Sequence, residues 1–295
     1  MFDPHSPYHR RMWHYDSDRP LSAAQLVALG SLDARTAALL WLLIERHHSL
    51  IVSGPTDPMP GVGKTTTLNA LLGFLPLGST LVYTTGMYED FDFKDQVTPE
   101  TTCVLANEVS DHLSIYMWGR VARTLLRLPQ EGYAVATSCH ADAIEDVLDM
   151  LTRDLRLVPA DVAQLGIIVN IGLVGRAWPP RRRFLTVNFV SPELPEPKGN
   201  SKAGRASVRL LPLATWDSAA DTFVPATAAD LCTLAGITGM SEEDFLAALE
   251  RRQACLESLA KDRGAGIRAM RQAVDTLAAS EREGPPAAGD MEAAE

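Results

Sequence analysis

The stretch Ser49–Leu72, SLIVSGPTDPMPGVGKTTTLNALL, constrains this chain more than any other. A short β-prone apolar run, Leu50–Val52, leads into a loop rich in glycine and proline. Gly63-Lys64-Thr65-Thr66 follows, and then a helical pattern with Leu68, Leu71 and Leu72 on one side. Strand, glycine loop, Lys-Thr and helix is the layout of a P-loop. Glycines let backbone N–H groups turn inward and cradle phosphate oxygens. The helix N-terminus adds the positive end of its dipole. Lys64 is then placed to reach β- and γ-phosphates, and the Thr65 hydroxyl to ligate Mg²⁺.

The pattern G-x-x-x-x-G-K-[ST] puts Pro58 where its first glycine belongs. Leaving out Asp57-Pro58-Met59-Pro60 restores the spacing, with Gly54, Pro55 and Thr56 joined to Gly61, Val62, Gly63, Lys64 and Thr65. The sequence therefore predicts a P-loop carrying an inserted, proline-stiffened blister. Gly54, Pro55, Thr56, Gly61, Val62, Gly63, Lys64, Thr65 and Thr66 are its phosphate-binding candidates. The competing reading is a Gly/Pro surface loop that happens to end in Lys-Thr-Thr. The flanking strand and helix favour the P-loop.

A length of 295 residues suits one large or two modest domains, with enough apolar content for an ordinary core. The formal net charge of −10 argues against a chain built mainly to bind nucleic acid. The four cysteines, Cys103, Cys139, Cys232 and Cys255, form no C-x-x-C pair and read as reduced thiols. The longest apolar run, Ala37–Ile44, is too short to span a bilayer, and the polar, aromatic N-terminus lacks a signal-peptide core. A cytoplasmic protein is expected.

Residues 1–20 read as an irregular leader, in which His5, His9 and His14 suit a polar tail better than a metal site. Helices are predicted over Leu21–Leu29 and Asp33–His47, the second apolar nearly all round and capped by Ser31 or Asp33. Thr80–Thr85 reads as a strand running into Glu89-Asp90. Those acids could face a ligand beyond a strand end, and equally could be a solvated loop. Thr101–Ala106 reads as a strand ending at Asn107-Glu108. An acid there can orient an attacking water or hold Mg²⁺ through water. A helix is predicted from His112 to Leu128, with Arg120, Arg123 and Arg127 on a solvated face or a subunit contact. Tyr133–Ser138 is a further strand, leading to Cys139-His140, and a helix carrying Val147 and Leu151 follows. His140 has both a structural and a functional reading. Gly166–Val174 and Phe184–Val190 suggest an antiparallel hairpin with Arg181-Arg182-Arg183 at its tip. Ser191–Arg205 is loop or linker, Ala206–Leu213 a further strand, and Ser241 opens a helix whose apolar stripe includes Arg252.

The expected division is a leader at 1–20, an NTPase domain at 21–190 and a linker with a strand at 191–225. A helical unit at 226–280 and a disordered tail at 281–295 complete it. The expected fold is α/β, a RecA-like P-loop core with a largely parallel sheet and a small C-terminal helical unit. Lys64/Thr65, Glu89/Asp90, Glu108 and His140 all fall at strand ends and form one candidate nucleoside-triphosphate site.

The order of these motifs resembles the type II/type IV secretion ATPase superfamily, which drives pilus, archaellum and secretion assembly. The family's G-P-T-G-S-G-K-T-T-T is matched by Gly54–Thr56 and Gly61–Thr67, and its Asp box by Glu89-Asp90. Its Walker B sequence, G-E-I-R-D, is matched by Asn107-Glu108-Val109-Ser110-Asp111. Its His box is similar to Thr137-Ser138-Cys139-His140-Ala141-Asp142-Ala143, with one extra residue. The segment before the P-loop and the tail TGMSEEDFLAALERRQACL also look like family members, so the resemblance covers residues 20–275. It implies a hexameric ring that binds ATP and Mg²⁺ between subunits and moves an inner-membrane platform protein. Glu108 and Glu89 would be catalytic acids, and His140 would sense the γ-phosphate.

The chain departs from the family in four places. The stretch ahead of the P-loop is shorter than the family's N-terminal domain, and Phe91–Thr102 holds no arginine. Ser110 stands where the Walker B arginine is expected, and Asp57–Pro60 interrupts the loop. Loss of an arginine finger can cost about 10³-fold in rate. Weak or partner-dependent hydrolysis is therefore expected. The alternatives are a non-hydrolysing nucleotide-binding or structural subunit, and a P-loop motor acting on DNA, against which the acidic charge counts.

Overall fold

The computed structural model describes residues 20–55, 61–175, 178, 180–192, 208–262 and 265–283. The leader with its three histidines, the residues 56–60 that hold Thr56 and the insertion, most of the Ser191–Arg205 linker and the tail from residue 284 lie outside the described residues.

Helix α1 (Ala23–Ala28) is closed by a Ser22 capping box, and α2 (Ala34–Glu45) by Asp33, whose carboxylate accepts from Thr36 N at 2.7 Å. Strand β1 (Leu50–Gly54) is buried along its whole length and leads to α3 (Lys64–Leu72). The chain continues through β2 (Thr80–Tyr83), β3 (Thr102–Val109), α4 (Gly119–Arg127), β4 (Ala134–His140) and α5 (Ile144–Asp149). Then come α6 (Pro159–Val162), β5 (Gly166–Val174), β6 (Arg181–Pro192), β7 (Val208–Asp217) and β8 (Thr222–Pro225). Helices α7 (Ala228–Ile237), α8 (Glu242–Lys261) and α9 (Ile267–Glu283) end the described chain.

All eight strands form one mixed sheet in the order β2-β3-β4-β1-β5-β6-β7-β8. The five strands from β2 to β5 are parallel, and β6, β7 and β8 continue antiparallel. Alternation along the strands feeds two apolar layers, because successive side chains point to opposite faces. Leu50 and Val52 join α1, α2, α3 and the C-terminal helices on one face, while Ile51 joins α4 to α6 on the other. A parallel sheet covered on both faces explains why its strands read as near-continuous apolar runs.

Helix α2 is buried almost all round, as its sequence predicts, but its cover is the C-terminal α8 as well as the sheet. Arg252 of α8, 2 % exposed, explains the polar member of that helix's apolar stripe. Its guanidinium bonds both Glu45 and Glu281 and lies 5.6 Å from the Trp41 ring. A buried arginine is held by filling every donor. The helices of the expected 226–280 unit thus share a core with α1, α2 and the sheet.

Four sequence expectations are corrected. The helix predicted from His112 starts at Gly119. Residues ahead of it turn back on β3, where Met117 N donates to Glu108 O and Ser110 N to Met117 O, both at 3.0 Å. Gly119 has φ +60°, a conformation that suits glycine and breaks the helical run. Arg181, Arg182 and Arg183 are the first residues of β6, not a turn, and Arg183 and Arg181 both pair with Asp221. The additional strand runs over Val208–Asp217, not Ala206–Leu213, and Thr222–Pro225 adds an eighth that the sequence reading did not include. Strand β3 extends through Asn107-Glu108 to Val109, with an irregular register between Ala106 and Val109. Among the described residues, no helix is long and apolar enough to cross a membrane.

Candidate functional site

The site forms where the parallel strands end, beyond the carboxyl ends of β1, β3 and β4, the usual ligand side of such a sheet. Gly54 closes β1. A Cβ there would stand 2.8 Å from Ile171 O, so neighbouring β5 requires glycine. Gly63 takes φ +100° immediately before α3, again a conformation that suits glycine. Lys64 is therefore the first helical residue, beside backbone N–H groups that have no partner inside the helix. Val62 is buried and Gly61 exposed, while Pro55, Thr65 and Thr66 are half-buried. The Thr65 hydroxyl has no hydrogen-bond partner among the described residues.

Lys64 folds back over β1 and β4. Its Nζ reaches His140 Nδ1 at 2.9 Å and Gly54 O at 3.5 Å. An ammonium only donates, so Nδ1 receives this bond as a lone pair and the ring proton sits on Nε2. Nε2 lies 2.6 Å from Glu108 Oε1. Oε1 is buried, and among the described residues this close contact is not an aligned hydrogen bond. Burial pushes the Lys64 pKa below its ordinary value, and the Glu108 charge pulls the other way. Three residues called from sequence, Lys64, Glu108 and His140, are thus brought into one line of contacts from three separate elements.

Glu89 lies elsewhere. Its carboxylate accepts from Thr85 N at 2.8 Å, from the Thr85 hydroxyl at 3.2 Å and from Phe91 N at 2.9 Å. It caps its own loop after β2, an edge strand separated from β1 by β3 and β4. Asp90 likewise accepts from Asp92 N. The loop presses on the segment after β3, where a Cβ on Gly86 would come within 2.0 Å of Ile115 O.

Sequence reasoning missed three supports. Asn170, buried in β5, donates to Ser53 Oγ at 3.0 Å and Ala141 O at 3.2 Å, pinning the ends of β1 and β4 together. A lone amide in the apolar run GIIVNIGLV was its available signal. His112 bonds Ser110 Oγ and sets its ring edge-on to His140, with centroids 4.8 Å apart. Only the loop's folding back makes it a neighbour, and no sequence spacing shows that. Arg182 donates to Gly61 O at 3.0 Å from the far side of the loop. Cys139 beside the site is fully buried, which pushes its thiol up to about 12 and leaves it inert.

These residues fit a nucleoside triphosphate with Mg²⁺. A positive-φ glycine opens a helix, a buried lysine meets an imidazole, and a buried carboxylate oxygen lies against that imidazole without an aligned hydrogen bond among the described residues. Among the described residues no cluster of His, Cys, Asp and Glu forms a metal cage, so a cation here would share its ligands with phosphate.

No family model matches the sequence. The chain is similar to an uncharacterized protein, MJ0900, of Methanocaldococcus jannaschii, with 40% identity over 65 residues, 22% of this chain. The matched part spans 11% of that relative, so the chain covers about a tenth of its length.

Proposed function

We propose that this chain binds ATP with Mg²⁺ on the loop between β1 and α3 and hydrolyses it, as a ring-forming motor subunit of a type II/IV secretion or type IV pilus-like assembly system. In this reading the parallel half of the sheet is a RecA-like P-loop core. The observation that carries it is the contact line from Lys64 through His140 to Glu108. A P-loop lysine, a strand-end acid and a strand-end histidine are far apart in sequence, yet they meet at one point.

The roles follow from the atoms. Backbone N–H groups at the start of α3 and the Lys64 ammonium hold phosphate oxygens. Lys64 then leaves His140 Nδ1 for phosphate, and the imidazole is released to report that a phosphate is present. The Glu108 carboxylate accepts a hydrogen bond from water and takes its proton as the water oxygen attacks the terminal phosphorus and the bond to the bridging oxygen breaks. The Thr65 hydroxyl would hold Mg²⁺, which would supply positive charge to the phosphate oxygens. Glu89 enters only by ordering its loop.

The test is steady-state ATP hydrolysis over a range of protein concentrations, with Lys64→Ala and Glu108→Ala beside the native chain. Turnover per subunit that rises with concentration and is lost in both variants supports the ring motor. Turnover that survives in both variants sinks the assignment. A second reading, a nucleotide-binding subunit without turnover, is favoured by Ser110. It stands in the arginine position and bonds His112, and Phe91–Thr102 ahead of it holds no arginine. Nucleotide binding lost in Lys64→Ala, with no turnover in the native chain, would select it.

A further inference from the structure

One amide stands in the apolar run of β5. Asn170 is 2 % exposed, between Val169 and Ile171, which are also buried. Its side chain reaches from β5 past β1 to the end of β4, where Nδ2 bonds Ala141 O as well as Ser53 Oγ. Ser53 Oγ gives its own proton to Val169 O at 3.3 Å, so towards Asn170 it only accepts, as a carbonyl does. Both partners therefore demand the NH₂ end of the amide, and both of its donors are used. The strand register sets Ser53 opposite Asn170 and Gly54 opposite His140, and Ala141 N donates to Gly54 O at 3.4 Å. The pairing of β5 with β6 shifts register between Asn170 and Ile171, an irregularity of the kind that re-aims a side chain. A leucine of similar size would suit the strand without the cost of burying an amide.

The two groups that hold Lys64 are Gly54 O and His140 Nδ1. Each belongs to the neighbour of a residue that Asn170 binds: Gly54 follows Ser53, and His140 precedes Ala141. We propose that Asn170 is a positioning residue for Lys64, tying the ends of β1 and β4 together so that Gly54 O and His140 Nδ1 stay within reach of one ammonium. Its bonds go to the strand ends and not to the lysine. That this lysine serves phosphate rests on the proposed function, whereas its resting place among Gly54 O and His140 does not. Affinity that comes from groups held ready in place is lost when their support loosens.

The experiment reads the His140 ring nitrogens by heteronuclear NMR of the full chain, at about pH 8, above the ordinary histidine pKa, beside calorimetric titration with Mg-ATP. In the native chain Nδ1 should show as an accepting lone pair and Nε2 as protonated. Lys64→Met removes the donor and gives the reference for a ring that no lysine holds. Asn170→Leu should move the His140 nitrogens towards that reference and weaken Mg-ATP about tenfold. Ser53→Ala removes one of the two acceptors and should act in the same direction to a smaller degree, and it decides the matter if Asn170→Leu does not fold. A folded variant that loses only stability, with the His140 signals and the Mg-ATP affinity of the native chain, overturns the proposal, because an amide that merely fills the core predicts that result. A shifted His140 with unchanged Mg-ATP affinity also overturns it. A native chain that binds no Mg-ATP overturns the phosphate reading instead, and the His140 signals alone then decide whether Asn170 places the lysine.

Discussion

Two of the buried charge clusters among the described residues are built in opposite ways. In the first, Arg252 is almost wholly enclosed and bonds Glu45, Glu281 and Ala248 O, with both carboxylates engaged by its fork. In the second, Lys64 and Glu108 are also enclosed, but a histidine stands between them and Glu108 Oε1 has no aligned donor among the described residues. The carboxylates hold the Arg252 pKa above its ordinary value even against burial, whereas burial wins at Lys64 and lowers it. Charges that satisfy one another lock elements together. Charges buried without that satisfaction are costly, and they are kept where a ligand completes them.

The strongest way to break this contrast is to remove one partner from each cluster. Arg252→Ala strands two carboxylates beside Trp41 and should cost about 3–5 kcal/mol of stability, read by urea unfolding. A loss below about 1 kcal/mol would mean the first cluster is not a lock. Glu108→Gln should lower turnover by about 10²–10³-fold while leaving the unfolding midpoint unchanged or raised. If it instead destabilised the fold as much as Arg252→Ala, the two clusters would be of one kind.

A third measurement sharpens the structural side. His48, edge-on to Phe189 at 4.9 Å, is buried enough to hold its pKa at about 4, with His47 and Arg46 adding to the effect. Its folded value lies below its unfolded one, so the unfolded chain takes up a proton first. Stability should be complete above pH 6.5, fall by about 2–3 kcal/mol as pH drops towards 4, and level off below. His48→Gln should flatten that part of the curve, and an unchanged slope would assign the acid loss to other groups. The smallest effect is at the start of α8, where the Ser241 hydroxyl accepts from Asp244 N at 3.1 Å. Ser241→Ala should cost about 1 kcal/mol in unfolding and leave nucleotide affinity unchanged.

Much of this contrast was legible before folding. Glycines 54 and 63 bracket a loop between strand and helix, Lys64 ends that loop, and Glu108 and His140 each follow an apolar run, so local pattern alone finds them. The burial of α2 was equally plain from its all-round apolar face. Other features depend on contacts distant along the chain. Arg252 is an oddity in a stripe until Glu45 and Glu281 arrive from two other helices. The helix start at Gly119 escaped because Leu113, Tyr116 and Met117 keep helical spacing, while Met117 is claimed by a bridge to Val109. Arg181–Arg183 resembled a turn because charge usually marks solvent, and here Asp221 from the β7–β8 turn pairs with Arg181 and Arg183 at the start of β6.

The order of the strands has a consequence for how the protein is made. Strand β1 is synthesised early but completed late: Ser53 must wait for Val169, 116 residues on, and Lys64 for His140, 76 residues on. At about 5–20 residues per second of synthesis, the nascent β1 spends several seconds without neighbours on either side. Parallel pairing across such separations is slow because loop closure must precede any reward. The apolar run Leu50–Val52 is thus in need of shelter while the ribosome is still at work, and the contact of Lys64 with His140 forms only once β4 has been made.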